Sequence, residues 1–313
     1  MALIQVGVAI HKPTATTMLR TIGQAEAARV PTVWLTTGSG PDGLTVFAAA
    51  AATTRSVRMG TAIVPTFPRH PLVVAQQTAD IAQLAPGRFV LGLGPSHATI
   101  VEGRYGIPYQ KPLSHLREFV AVVKGMLTGE QTDFDGKHFR VHAKLNYGAQ
   151  VPIIISALRA GSFELAGEIS DGAVSWLCPA PYLRDVALPA LERGAARQGR
   201  SRPKLIGHAF LALTADPAEL QQGVSEFLPH YPRLTNYQEM FAAAGYPEAR
   251  QGIWSPAMLE AVVVHGSENQ CGKKLEAFMR TSGCDEIILS IMFIDADRNA
   301  ALQRALAWVG ALS

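Results

Sequence analysis

Arg88-Phe89-Val90-Leu91-Gly92-Leu93-Gly94-Pro95-Ser96-His97 decides the fold. An apolar run ends in a turn of Gly92, Gly94, Pro95 and Ser96 and then delivers His97. That is the signature of a buried strand opening onto a loop that holds a ligand. The Gly92-Leu93-Gly94 spacing resembles a dinucleotide loop. Such a loop also needs a third glycine, and an acid about 20 residues onward for the ribose. Position 97 is histidine, so the first condition fails and an open dinucleotide-binding sheet is excluded.

Working outward from this strand, the chain alternates strand and helix. Apolar strands are expected at Ile4–Ala9, Thr32–Leu35, Val57–Val64, Arg88–Leu93, Val151–Ile155, Gly172–Trp176, Leu205–Leu213 and Glu286–Ile291. Helical patterns fall at Thr14–Arg29, Leu44–Thr54, Leu72–Leu84, Leu113–Leu127, Phe163–Ser170 and Pro181–Ala196, with further helices around the last strand. Strands that are apolar throughout belong to a parallel sheet covered on both faces. Eight such units in 313 residues favour an α/β fold of the (β/α)₈ barrel type, read as one domain over residues 1–313. Two long interruptions break the rhythm: residues 97–112 with 128–150, and residues 215–265 with Tyr231, Tyr237, Tyr246 and Trp254. The second is expected to cover the site or make a subunit contact.

Composition narrows the function. Hydrophobic residues make up 48% of the chain, enough for a large core, and 28 basic residues nearly balance 25 acidic ones. With no basic run, a nucleic-acid partner is not expected. Apolar runs fall short of the roughly 20 residues a bilayer span needs, and the start lacks a secretory signal. A cytoplasmic protein with no membrane partner is expected. Cys178, Cys271 and Cys284 are scattered, which suggests buried thiols and no disulfide framework or zinc site.

A barrel places its chemistry at the carboxyl ends of its strands. Here those ends hold His11, Thr36-Thr37-Gly38, Val64-Pro65-Thr66, Pro95-Ser96-His97, Ser156-Ala157-Leu158 and Trp176. They include no paired carboxylates, no metal-ligand cluster and no Ser-His-Asp arrangement. So little acid or base suits a site whose chemistry is carried by a cofactor. His97 is the best-placed proton-transfer group, since imidazole titrates near pH ~6.5, and His11 is the second candidate.

Several segments, in order along nearly the whole chain, resemble the luciferase-like monooxygenase superfamily, and within it the branch that uses the deazaflavin coenzyme F420. They are Gly60-Thr-Ala-Ile-Val-Pro-Thr-Phe-Pro-Arg-His-Pro71, Gly92-Leu-Gly-Pro-Ser-His97, Gly106-Ile-Pro-Tyr109, Leu116-Arg-Glu-Phe119, Gly129 with Phe134-Asp-Gly136, Leu165-Ala-Gly-Glu-Ile-Ser-Asp-Gly172 and Gly283-Cys-Asp-Glu-Ile-Ile-Leu289. The resemblance implies a barrel with insertions, usually dimeric, that binds a flavin or deazaflavin at its strand ends. It implies a bulge with a non-prolyl cis peptide at Ala62–Ile63, followed by Val64, on which the cofactor ring rests. It implies a cofactor phosphate held by Ser156, Ala157, Leu158, Arg159 and Ala160 at a helix start, where exposed N–H groups suit an anion. Many relatives have Gly-Pro where this chain has Arg159-Ala160, and the guanidinium offers a further anion partner. Thr36, Thr37, Pro95, Ser96 and His97 would line the polar side of the ring, and Trp176 would wall it. Where related sugar-phosphate dehydrogenases carry an Asp-His pair after the second strand, this chain has Thr37 and Gly38, which argues against a glucose-6-phosphate-type substrate. His70, between Pro68 and Pro71, is expected to shape a helix entry.

The expectation is therefore an F420-dependent oxidoreductase that transfers hydride between the cofactor and a small organic substrate, with activated C=C or C=N bonds as acceptors. An FMN-dependent monooxygenase on the same fold is the alternative, and a non-catalytic flavin-binding protein is the alternative of another class. A homodimer with a small-molecule substrate and no metal completes the reading.

Overall fold

The computed structural model describes residues 5–292 and 297–312. The strands are β1 (Val6–Ile10), β2 (Thr32–Leu35), β3 (Arg58–Thr61), β4 (Val64–Pro65), β5 (Phe89–Gly94), β6 (Thr132–Asp135), β7 (Arg140–Ala143), β8 (Ile153–Ser156), β9 (Gly172–Val174), β10 (Lys204–Ala212), β11 (Val263–His265) and β12 (Glu286–Ile291). The expected start of the first strand, Ile4, lies outside the described residues. Parallel pairing runs β1-β2-β3-β5-β8-β9-β10-β12 and returns from β12 to β1, so eight strands close a barrel. Short β4 extends β3 along β5, and β11 pairs with the carboxyl half of β10.

The barrel forms because its strands are buried on both faces. Each gives one residue to a compact inner cluster: Ala9, Trp34, Ala62, Val90, Ile154, Val174, Ile206 and Ile288, with Ala62 just past β3. Alternate residues turn outward into a larger layer against the helices, with Leu35, Phe47, Met59, Leu91, Phe119 and Phe163 fully buried. The indole of Trp34 lies against the inner faces of the neighbouring strands β1 and β3. A Cβ built on Gly7 would lie 2.4 Å from its Nε1, and one on Gly60 would lie 2.4 Å from its Cζ3. The two glycines are the space that lets the indole fit inside the barrel. Its Nε1 donates to Glu286 Oε1 at 3.2 Å, and burial raises the pKa of that carboxyl.

The expected strands and helices are found with their ends shifted by a few residues, and five regions differ. Val57–Val64 is not one strand: it breaks between Thr61 and Val64. The segment 97–112 contains a helix at Ala98–Tyr105, and 128–150 contains the antiparallel hairpin β6–β7. The insertion 215–265 carries helices at Pro217–Phe227, Thr235–Ala243 and Pro256–Val262 before β11. The helix expected at Pro181–Ala196 opens with a π turn at Leu183–Ala187. Cys178, Cys271 and Cys284 are free and buried, as expected, and burial raises their thiol pKa values, Cys271 to about 11 and Cys284 to about 12. No helix among the described residues is long and apolar enough to cross a membrane.

Gly60→Ala forces a methyl group into the rigid indole and should lower the unfolding free energy by about 1–3 kcal/mol. Gly23 lies in the Ala15–Ala27 helix, and a Cβ added there would meet nothing within 4 Å. Gly23→Ala should therefore raise stability by about 0.5–1 kcal/mol. Urea denaturation of the two variants checks the opposite signs.

Candidate active site

The glycines of the opening stretch serve a close approach between strands. A Cβ on Gly92 would sit 1.8 Å from the carbonyl oxygen of Thr61, and one on Gly94 would sit 2.3 Å from Ser156 Oγ and 2.9 Å from Ile63 Cγ1. Because both lack side chains, β3 presses against β5. The Gly92 amide donates to Thr61 Oγ1 at 2.7 Å, and the same hydroxyl donates to the Gly92 carbonyl at 2.9 Å. The threonine side chain thus satisfies backbone groups that the ladder leaves behind where β3 departs. The departing residues form the bulge, whose Ala62–Ile63 peptide is cis. The Ala62 amide donates to the Leu35 carbonyl at 2.8 Å, and the Ile63 carbonyl accepts from the Thr37 amide at 3.3 Å.

The bulge is the floor of a cavity of about 1000 Å³ at the carboxyl ends of the strands. Its lining brings together His11, Thr36, Thr37, Ala62, Ile63, Pro95, Ser96, His97, Ser156, Ala157, Leu158, Arg159, Ala160 and Trp176. Of the residues expected at the site, Val64 alone is not there. Its side chain is fully buried in the outer core, turned away from the cavity, so it backs the bulge and is not part of its surface.

One wall follows β5. Ser96 adopts the left-handed conformation, φ 62°, and its carbonyl accepts from Tyr109 Oη at 3.0 Å. This turn sets His97 at the head of the Ala98–Tyr105 helix, its ring 5.8 Å from that of Tyr237. Behind Tyr109, Phe67 stacks on His115 with centroids 4.1 Å apart. His115 is 7% exposed and its Nε2 has no partner among the described residues, and burial holds its pKa down to about 4. His70 caps the Pro71–Leu84 helix by accepting from the Leu72 amide.

A second wall is the start of the Ala160–Ile169 helix. Here the amides of Leu158 and Arg159 both donate to Ser162 Oγ, at 3.0 and 3.1 Å. The loop's own serine therefore occupies two of the amides expected to meet a phosphate. Those of Ala160 and Gly161, in the first helical turn, keep no partner within the helix. The exposed Arg159 side chain stands beside them.

The third wall comes from β9 and the insertion. Trp176 Nε1 donates to Tyr231 Oη at 2.9 Å, and the indole stacks on His208 with centroids 3.5 Å apart and planes 12° apart. His208 is fully buried, shares a hydrogen bond with Ser290 Oγ at 2.9 Å, and its Nδ1 has no partner among the described residues. Tyr237 meets Tyr231 edge to face, and Glu239 and Arg250 pair through both carboxylate oxygens. Sequence reasoning missed the roles of Tyr109, His115 and His208. The signal for His208 was a lone histidine in the apolar strand Leu205–Leu213.

Three histidines at and beneath the mouth, His11, His97 and His208, are held toward their neutral form. His11 opens onto the cavity, where Thr36 Oγ1 and its Nδ1 share a hydrogen bond at 3.1 Å. Burial lowers its pKa, lowers that of His97, and lowers that of His208 well below the usual value. Below pH ~6.5 the unfolded chain therefore binds more protons than the folded one. Stability should be fully present above that pH and fall as pH drops toward 5. Thermal melts from pH 8 to 5 check this, and His115→Phe, which removes the buried unpaired nitrogen, should flatten the acid side.

The comparisons with known proteins agree with this geometry. A family model described as luciferase-like monooxygenase matches residues 1–286. The 5,10-methylenetetrahydromethanopterin reductase of Methanolobus tindarius is 29% identical over 197 residues, 61% of this chain and 59% of that relative. A protein of Mycobacterium tuberculosis named "putative coenzyme F420-dependent oxidoreductase" is 30% identical over 234 residues, 67% of this chain and 66% of its own. Both are thus matched over less than two thirds of their length. The solved structure of an F420-dependent secondary alcohol dehydrogenase, in complex with an F420-acetone adduct, aligns over 99% of both chains with a TM-score of 0.84 at 18% identity, a likeness of fold.

Proposed function

The chain belongs to the luciferase-like monooxygenase family, and we propose that it is an F420-dependent oxidoreductase acting on a small organic substrate. The observation that carries this reading is one cavity with three different sides. It has an apolar floor at Ala62–Ile63, first-turn amides at Ala160 and Gly161, and an aromatic wall at Trp176 and Tyr231. At about 1000 Å³ it is at the top of the range for ligand pockets, which suits a large cofactor and a small substrate together. The relative from Mycobacterium tuberculosis, named for coenzyme F420, supports the choice of cofactor.

The residues present fit such a group. Ala62 and Ile63 would support its ring from below, Thr36, Thr37, Pro95 and Ser96 would border it, and Trp176 would wall its far edge. Ala160, Gly161 and the Arg159 guanidinium would hold its phosphate, with Ser156, Ala157 and Leu158 shaping the approach. Reduced F420 supplies a hydride, two electrons with one hydrogen nucleus, to an electrophilic carbon. His97 donates the matching proton to the neighbouring acceptor atom, which takes the electron pair of the broken π bond. In the reverse direction neutral His97 accepts that proton from an alcohol. His11, held by Thr36, orients the polar edge of the mouth. The protein is proposed to work as a homodimer.

Titration of the protein with F420 and with FMN, followed by cofactor fluorescence, tests the reading. F420 should bind with a Kd about tenfold or more below that of FMN. Tight FMN binding with F420 excluded would favour the monooxygenase alternative instead.

The proton role of His97 has its own sign. Reduction needs the imidazolium, and burial places its pKa below the ordinary 6.5. The reductive kcat should therefore rise as pH falls toward that value, and the oxidative kcat should fall. His97→Gln should lower kcat by about 10²-fold and abolish both limbs. Pre-steady-state rates across pH check this, and an unchanged pH profile would leave His97 a cofactor contact only.

A further inference from the structure

We propose that the insertion side of the cavity is a subsite for an uncharged, planar carbonyl compound, laid against an indole wall at Trp176 that His208 fixes from behind. The inference deepens the oxidoreductase reading by naming a substrate class for the same cavity, and it rests on that reading for which end of the cavity is left to the substrate.

Three observations carry it. The first is rigidity. Trp176 is held at two points, by its Nε1 bond to Tyr231 Oη and by the near-parallel stack on His208. His208 is itself anchored on Ser290 of β12, inside the barrel. A ring fixed on one face and at its N–H presents its other surface to the cavity it lines as a ready-made flat wall, and flat rings prefer offset stacking on such a surface. His208 does not line the cavity, so it is a positioning residue that acts through Trp176.

The second is charge. On this side the polar and aromatic lining is Trp176, His97, His11, Tyr231, Asn236 and Tyr237, with the exposed His230 at the rim and one ion pair, Glu239–Arg250, that is closed on itself through both carboxylate oxygens. Burial lowers the pKa of His11 and His97, so these imidazoles carry no charge near neutral pH. A carboxylate or phosphate on the substrate would lose its water here and gain no cation, a cost that burial of an unpaired charge always brings. The cationic Arg159 stands by the helix start and within electrostatic reach of Glu239, so its charge is already opposed there and, on the cofactor reading, claimed by the phosphate.

The third is the donor set. Tyr231 Oη accepts from Trp176, which leaves its own proton to donate, and Tyr237 and His97 converge beside it with ring centroids at 5.1 and 5.8 Å from their neighbours. A single carbonyl oxygen accepts such donors without needing a positive charge.

Acetophenone and 4-acetylbenzoate, which differ by one carboxylate, are the probes. Isothermal titration into the full chain, with and without F420, reads binding apart from turnover. Acetophenone should bind about tenfold or more tightly than 4-acetylbenzoate. His208→Gln should weaken acetophenone about fivefold and weaken F420 less, with the Trp176 fluorescence shifted. Trp176→Phe, which keeps a flat ring, should weaken acetophenone less than Trp176→Ala does. Equal or tighter binding of 4-acetylbenzoate would overturn the proposal, as would a His208→Gln protein that melts normally and binds acetophenone like the wild type. Failure of the cofactor reading would show separately, as absent F420 binding with the preference between the two ketones intact.

Discussion

The double hydrogen bond between Thr61 and Gly92 is the constraint on which the site depends. A parallel ladder cannot skip a step without stranding a buried N–H and a carbonyl, each expensive to leave unmet. One hydroxyl meets both at once, and only because position 92 has no Cβ can it come close enough. Once the ladder is closed in this way, β3 is free to leave the barrel wall for two residues and rejoin β5 as β4. The bulge then presents a backbone edge and the apolar side chains of Ala62 and Ile63 to the mouth. The neighbouring Gly94 leaves room for Ser156 and Ile63, so the same pair of glycines joins the floor to the loop after β8.

The interior below the bulge explains why the mouth can hold a large cavity without weakening the barrel. Trp34 packs the interior with the other inner residues, seated on Gly7 and Gly60 and bonded to Glu286. A packed lower half supplies the rigidity, as in barrels generally, and the upper half is left for the ligand. His208 stands between the two regions. Its bond to Ser290 ties it to the inner wall, and its stack with Trp176 carries that rigidity up to the site.

Much of this was legible in the sequence, for a definite reason. Strands buried on both faces leave apolar runs, and eight of those runs are the eight barrel strands. The strand ends then placed His11, Thr36, Thr37, His97, Ser156 and Trp176 around one mouth. What escaped was structure without an apolar stripe. The Ala98–Tyr105 helix buries only Val101, so no periodicity marks it. The bulge interrupts a run, Val57–Val64, whose residues all read as strand, and its cause is a hydroxyl bond to a distant glycine. Val64 was expected at the site because it follows the bulge in sequence, but one residue beyond a break the side chain points to the opposite face. Ser162, which occupies the Leu158 and Arg159 amides, was hidden because any serine in a helix's first turn looks like an ordinary cap.

The electrostatic character of the mouth follows from the same packing. Desolvation favours the neutral form of His11, His97 and His208. Around His97 and Tyr237 the mouth is neutral, and its charged groups, Arg159 and the Glu239–Arg250 pair, lie elsewhere in the lining. On the proposed reading it delivers one proton at one point, where the loop after β5 sets His97. Chemistry that moves two electrons with a hydrogen nucleus asks for little more than this from the protein: a dry surface, fixed distances and a single proton partner. That division of labour makes the scarcity of acids and bases at the strand ends a property suited to cofactor chemistry, and a poor foundation for hydrolysis or metal-assisted catalysis by side chains alone.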